Sequence, residues 1–161
     1  MSMLVHILED AFFSAVAAIG FAAISRPPRR AYLYCALIAA VGHAFRYVLM
    51  NSSLHLHITF ATLAASFVVG IMAVFLAPAA RTPAEAYLFP SLLPMIPGIY
   101  AYKAFGGLAR SLFADGQADF ERCFYLFCSN GMTCVCILVC MVVGATVPIF
   151  VFKTKSFSAT R

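Results

Sequence analysis

The chain has 161 residues, of which 63% are hydrophobic and only 11% are charged, and its formal net charge is +5. A soluble domain of this size could not solvate so apolar a surface, so the composition excludes the soluble classes and predicts an integral membrane protein. The basic residues lie beside apolar stretches rather than in one patch, which indicates membrane orientation and not nucleic-acid binding.

Five apolar stretches are long enough to cross a bilayer, at about residues 4–24, 31–50, 58–78, 86–105 and 121–150. They predict an all-α fold, with one transmembrane domain over residues 1–161 built as a bundle of five helices. Residues 123–152 carry no charge and exceed the length of about 20 residues that one crossing needs. Tilt of this helix, or a break at Gly144 or Pro148, would account for the excess.

The first span carries an acidic pair, Glu9 and Asp10, in its opening turns. Ionisable groups within a membrane span are costly and are therefore functional candidates. Asp10 could gain and lose a proton during transport. The alternative is that Glu9 and Asp10 only cap the outer end of this helix.

A basic, proline-containing turn at residues 25–30 separates the first span from the second, which carries His43 and Arg46 near its far end. His43 could relay protons, and Arg46 could hold an anionic group of a substrate. Alternatively, the Arg46 side chain extends to the outer headgroups and His43 only packs against a neighbouring helix.

Small residues form a stripe along the third span, which we interpret as a packing seam; they are Thr59, Thr62, Ser66 and Gly70.

The fourth span is interrupted by prolines and a glycine, including Pro94, Pro97 and Gly98. Each proline removes a backbone donor, so the carbonyls of Pro90 and Leu93 lose their helical partners. Inside a membrane these carbonyls must meet protein, water or a ligand, and broken helices often form transport sites. The alternative is a kinked packing helix without a ligand.

Residues 106–121 follow, and their apolar stripe predicts a short interfacial helix and a turn. In the last span, Asn130 and Thr133 could hydrogen-bond a substrate. Polar contacts between helices are the alternative for both side chains.

Two motifs resemble the small YjjB-type membrane subunit of the threonine/serine exporter (ThrE) family. The second span contains G-H-x-x-R at residues 42–46, and the fourth contains P-x-x-P-G-x-x-x-Y at residues 94–102, which makes Tyr102 the matching tyrosine. The basic turn before Ala31 and the Asn130-x-x-Thr133 pattern also agree, and the resemblance covers nearly the whole chain.

The resemblance implies a partner, a larger YjjP-type subunit that contributes another helical bundle and a cytoplasmic domain. Fused family members are associated with threonine and serine export, and split ones with succinate export. It implies a subunit of a secondary exporter in the bacterial inner membrane. The residues expected to bind substrate are Arg46, Pro94, Pro97, Gly98, Tyr102, Asn130 and Thr133, and those expected to couple protons are Asp10 and His43.

The sequence shows no nucleophile and base pair, no phosphate-binding loop and no metal-ligand spacing, so we expect neither an enzyme nor a cofactor nor a metal site. Two other functions stay open. The chain could be a non-catalytic interaction subunit that stabilises the true transporter, or it could form a homo-oligomeric channel.

The distribution of basic residues predicts the topology. Most Lys and Arg fall in the turn at residues 25–30, at Arg81 and in the tail after residue 152, so these segments should be cytoplasmic. Reporters fused at Ser2 and at Arg161 should therefore label on opposite sides, with the N-terminus outside. Labelling on the same side would contradict five spans.

Overall fold

All the regular structure in the computed structural model is helical; the structure describes residues 3–52, 55–80 and 82–152, with residues 79 and 80 described by their backbone alone. The helices are α1 (Met3–Ser25), α2 (Ala31–Asn51), α3 (Ile58–Ala80), α4 (Glu85–Leu92), α5 (Gly98–Leu112) and α6 (Gln117–Val151), with a 3-10 turn at Leu93–Met95. Since the described ranges hold no strand, the all-α prediction is confirmed for them.

Four of these helices are long and apolar enough to cross a membrane, namely α1, α2, α3 over Ile58–Pro78, and α6. Their outward side chains include many large apolar groups, which suit contact with lipid. The predicted fourth span falls on α4 and α5, which have 8 and 15 residues and are each short for one crossing. Five membrane spans therefore stay a prediction.

Local sequence explains where the first helices end and begin. After α1, Arg26 adopts a left-handed conformation with φ of 50°, and its N–H still donates to the Ala22 carbonyl. Pro27 and Pro28 cannot continue the helical hydrogen bonding. The Pro28 carbonyl instead accepts from the N–H of Ala31, the first residue of α2, at 2.7 Å.

The chain forms two compact units. Unit 1 contains the residues up to Met95 together with those from Cys140 onward, and unit 2 contains Ile96–Val139. Compact units are defined by contacts within the chain and do not test whether it forms one transmembrane domain in a bilayer, which stays a prediction.

Small residues bring the helices of unit 1 close together. Ser14, Ala18 and Ala22 are the buried residues of α1, and α2 buries Cys35 and Ala39 on the face that α1 and α4 cover. Close approach of backbones through small side chains is the usual way for helices to associate in lipid, where no hydrophobic force drives them together.

The seam predicted on α3 is confirmed by its contacts with the end of α6. Ser66 Oγ lies 3.4 Å from the Cys140 carbonyl oxygen. A Cβ atom added at Gly70 would lie 2.5 Å from the Ala145 carbonyl oxygen, and one at Gly144 would lie 2.5 Å from the Leu63 carbonyl oxygen. Both glycines are therefore required by the distance between the two backbones.

Two expectations about the end of the chain need correction. Residues 106–112 continue α5 instead of starting a separate interfacial helix, because glycines without a proline at 106 and 107 do not stop a helix. α6 then begins at Gln117, earlier than predicted, and runs unbroken to Val151 through Gly144 and Pro148. The last apolar stretch is thus one continuous helix up to Val151.

We expect Gly144→Ala to lower the free energy of unfolding by about 1–3 kcal/mol, because the new methyl group would meet the α3 backbone, which cannot move aside without repacking. Gly20→Ala is the matched control, since a Cβ there would have no heavy atom within 4 Å. It should be neutral or stabilising by up to about 1 kcal/mol. Unfolding in detergent micelles measures both, and equal stability of the two variants would contradict the seam.

Candidate functional site

Asp10 on α1 faces His43 on α2 in unit 1. Ser14, one helical turn after Asp10, is buried with its Oγ 3.5 Å from the Ala39 carbonyl oxygen. His43 follows Ala39 by one turn, so the same helix contact brings the carboxylate and the imidazole together. The Asp10 Oδ1 and Oδ2 atoms lie 3.4 and 3.3 Å from His43 Nδ1.

Arg46 connects this pair to Met95, the last residue of the 3-10 turn that follows α4. Its Nη2 lies 3.4 Å from His43 Nδ1, and its Nη1 donates to the Met95 carbonyl at 3.2 Å. A guanidinium carries five N–H donors, so other donors remain for a substrate carboxylate. We call Asp10, His43, Arg46 and the Met95 carbonyl the polar chain.

Gly42 makes the approach of Met95 possible. A Cβ atom added at Gly42 would lie 2.5 Å from Val69 Cγ2 and 3.0 Å from Met95 Cε. The glycine of the G-H-x-x-R motif therefore leaves room on α2 for the side chains of Val69 and Met95, one residue before His43.

His43 Nδ1 lies between a group that only accepts and a group that only donates hydrogen bonds. A single ring nitrogen either carries a proton and donates to Asp10, or is bare and accepts from Arg46. The protonation and tautomer of His43 therefore decide which partner it holds. Only 7% of the His43 side chain is exposed, against 37% for Asp10, and its Nε2 is buried without a hydrogen-bond partner among the described residues.

The polar chain ends where the helical hydrogen bonding is interrupted. α4 ends at Leu92, the 3-10 turn ends at Met95, and α5 begins at Gly98, whose N–H donates to the Ile96 carbonyl at 2.8 Å. Pro97 has φ of −77° and ψ of 60°, outside the helical region. Pro94 lies just before Met95 and is half-buried, while Gly98 is exposed.

The other candidate residues lie in unit 2. Tyr102 is 79% exposed, and it lines a pocket of about 500 Å³ together with Asn130. Asn130 Nδ2 donates to the Leu126 carbonyl at 2.7 Å, and Thr133 Oγ1 donates to the Ser129 carbonyl at 2.9 Å. Both bonds stay within α6, so neither is a contact between helices.

The predicted site residues thus fall into two groups. The structure brings Asp10, His43 and Arg46 together beside the segment that holds Pro94, and it places Tyr102 and Asn130 on one pocket of unit 2. A single substrate site that combines both groups stays a prediction.

Sequence reasoning missed three groups that lie in the polar chain or in the pocket of unit 2. The Met95 carbonyl could not be identified because a backbone acceptor carries no signal in the sequence. No site was predicted at Lys103 or Arg110, yet both line the pocket of unit 2. Their spacing of seven residues, which puts them on one face of a helix, could have identified them.

We expect Asp10→Asn and His43→Gln to be non-additive, with a coupling of about 1–3 kcal/mol in the free energy of unfolding, because each removes the same contact with the buried imidazole. His6 and Glu9 provide the matched control, since His6 Nδ1 lies 3.3 Å from Glu9 Oε2 but these side chains are 45% and 49% exposed. Their coupling should stay below about 0.5 kcal/mol. Double-mutant cycles in detergent measure both pairs, and equal couplings would contradict a specific contact with a buried histidine.

Comparisons with known proteins identify the family of this chain. The family model described as "Threonine/Serine exporter, ThrE" matches residues 10–151. An uncharacterized protein of Haemophilus influenzae is 33% identical over 150 residues, which cover 92% of this chain and 48% of that protein. The chain thus spans about half the length of this curated relative, and no solved structure matches it. Since the family model covers most of the chain, including both helices of the polar chain, the protein belongs to the threonine/serine exporter family.

Proposed function

We propose that this chain is the small, YjjB-type membrane subunit of a secondary exporter, which moves threonine and serine or a dicarboxylate such as succinate out of the cell. The observation that carries the proposal is the polar chain, in which a buried imidazole lies between a carboxylate and a guanidinium. Ionisable groups held this way inside apolar helices are typical of proton relays in transporters.

The coupling step follows from the competition at His43 Nδ1. With a bare Nδ1, the imidazole accepts from Arg46, and Arg46 also holds the Met95 carbonyl. When a proton binds to Nδ1, the imidazolium donates to Asp10 and releases Arg46 Nη2. Proton binding thus changes the hydrogen bonds of Arg46, which holds the Met95 carbonyl before Pro97, and that is how a proton gradient would act on the broken helix.

We further propose that a larger YjjP-type subunit with a cytoplasmic domain completes the transporter in the bacterial inner membrane, with the N-terminus of this chain outside and its C-terminus cytoplasmic. The length of the Haemophilus influenzae relative supports a second part of similar size, because the matched region takes up only 48% of it. Transporters often place their site at the interface of two such halves. The basic segments that set this orientation at Arg81 and beyond residue 152 lie outside the described residues.

The decisive experiment reconstitutes the chain with and without this subunit in liposomes and measures efflux of labelled threonine and succinate under an imposed proton gradient. Flux that needs both subunits and the gradient is the expected result. Gradient-driven flux by this chain alone would contradict the need for a partner. Flux by the partner alone at the full rate would contradict a transport role for this chain.

We expect Asp10→Asn and His43→Gln each to lower gradient-driven flux per assembled complex by about tenfold or more, because loss of a positioned proton-transfer group typically costs about 10²–10⁴ in rate. The control variants His6→Gln and Glu9→Gln alter the exposed pair on the same helix and should transport normally. Unchanged flux and unchanged pH dependence in both test variants would assign Asp10 and His43 to capping and packing.

Pro97→Ala and Gly98→Leu should lower flux per complex while the protein stays in the membrane. The first change restores a backbone donor and favours a straight helix, by about 3 kcal/mol on the propensity scale. The second adds a side chain at a position where a Cβ atom has no heavy atom of the described chain within 4 Å, so it should disturb a partner or a substrate and not the fold. Normal flux per complex in both variants would remove the broken helix from the mechanism.

A further inference from the structure

Unit 2 contains a basic pocket that the polar chain does not use. Its volume is about 500 Å³, and its walls come from α5 and the first half of α6. The lining residues are Tyr102, Lys103, Gly106, Gly107, Arg110, Cys123, Leu126 and Asn130.

Two cations line this basic pocket, and no carboxylate does. Lys103 and Arg110 are seven residues apart on α5, which is two helical turns, so they project from the same face. Neither makes an ion pair with a carboxylate in the part of the chain that the structure describes. Arg110 also lines a neighbouring pocket that contains Asp115, Asp119 and Arg122.

Two adjacent glycines shape the basic pocket in different ways. A Cβ atom at Gly107 would lie 2.8 Å from the Phe127 backbone nitrogen, so Gly107 lets α5 and α6 approach closely. A Cβ atom at Gly106 would have no heavy atom within 4 Å. Gly106 therefore leaves room at the pocket wall, and a larger side chain there would begin at a Cβ position that meets no neighbouring atom.

We propose that Lys103, Arg110 and Asn130 form a binding site for an oxyanion, that is, for carboxylate or phosphate groups. The two cations supply charge-assisted donors, and the second N–H of the Asn130 amide, which donates its other N–H to the Leu126 carbonyl, adds a neutral donor. The apolar part of the wall, from Leu126 and Cys123, suits a short carbon skeleton between anionic groups. A zwitterionic amino acid fits less well, because no carboxylate of this pocket would meet its ammonium group.

A plainer role for Arg110 is to complement the C-terminal end of the α5 dipole, since it lies in the last turn of this helix. That role does not extend to Lys103, which lies two turns earlier. A site that needs both cations therefore differs measurably from a helix cap that needs only one.

This site deepens the proposed function and rests on it only for the identity of the transported molecule. The test is equilibrium binding by calorimetry, with the full chain in phosphatidylcholine nanodiscs and with succinate, inorganic phosphate and threonine as probes. This binding measurement involves no gradient and no flux. Loss of binding at this site is therefore seen separately from loss of transport.

Lys103→Gln and Arg110→Gln should each weaken succinate or phosphate binding by about tenfold or more, as expected for loss of a hydrogen bond from a charged donor. Gly106→Leu should also weaken binding, because its side chain would add bulk at the wall of the basic pocket. Arg122→Gln is the matched control, because Arg122 lies in the same unit but lines only the neighbouring pocket. It should bind as the unchanged protein does.

A phospholipid headgroup could supply the same phosphate chemistry, so a second arm replaces a quarter of the phosphatidylcholine with phosphatidylglycerol. If the chain retains phosphatidylglycerol in a way that depends on Lys103, and succinate binding becomes weaker, the lipid is the occupant. If succinate binding is unchanged, the small anion is the occupant. The proposal is overturned if neither probe depends on Lys103 and Gly106, or if Arg122→Gln weakens binding as much as Lys103→Gln does.

Discussion

The need of buried charges and freed backbone carbonyls for a partner is the constraint on which the candidate site of this protein depends. In an apolar environment an isolated charge or carbonyl is costly, and water is not there to satisfy it. The polar chain meets this need across three elements: α1 supplies Asp10, α2 supplies His43 and Arg46, and the turn after α4 supplies the Met95 carbonyl. A carboxylate, an imidazole, a guanidinium and a freed backbone group stabilise one another there.

Small residues determine whether such contacts can form, because they set the distance between backbones. Gly42 admits Met95 to the surface of α2, and Gly107 admits α6 to the surface of α5. The glycine in the G-H-x-x-R motif thus has a packing reason that is distinct from any contact with substrate. A larger residue there would meet the side chains of Val69 and Met95, even though glycine itself takes no part in the hydrogen bonds.

In the interrupted segment between α4 and α5, a side chain of α2 binds a backbone carbonyl. Pro94 and Pro97 interrupt the helical hydrogen bonding, so nearby carbonyls need donors from other parts of the chain. Arg46 is a strong donor for such a carbonyl because a guanidinium presents five N–H groups in a fixed, planar arrangement. The same guanidinium lies 3.4 Å from Nδ1 of the buried His43, so one cation contacts both a backbone carbonyl and an imidazole. The proposed transport mechanism rests on this arrangement.

The sequence alone determined the class of the protein, because hydrophobic content and span length depend only on which residues occur and in what order. It identified α1, α2, α3 and α6 as apolar helices, and it singled out Asp10, His43 and Arg46 because ionisable residues are rare in such spans. It misplaced the start of α6 and divided α5, since helix ends without a proline leave only a weak local signal. Only the tertiary structure decided which of these residues meet. The contacts of His43 with Asp10, of Arg46 with the Met95 carbonyl, and of Lys103 and Arg110 with one pocket depend on how helices pack, and interhelical packing follows from shapes that no short stretch of sequence contains.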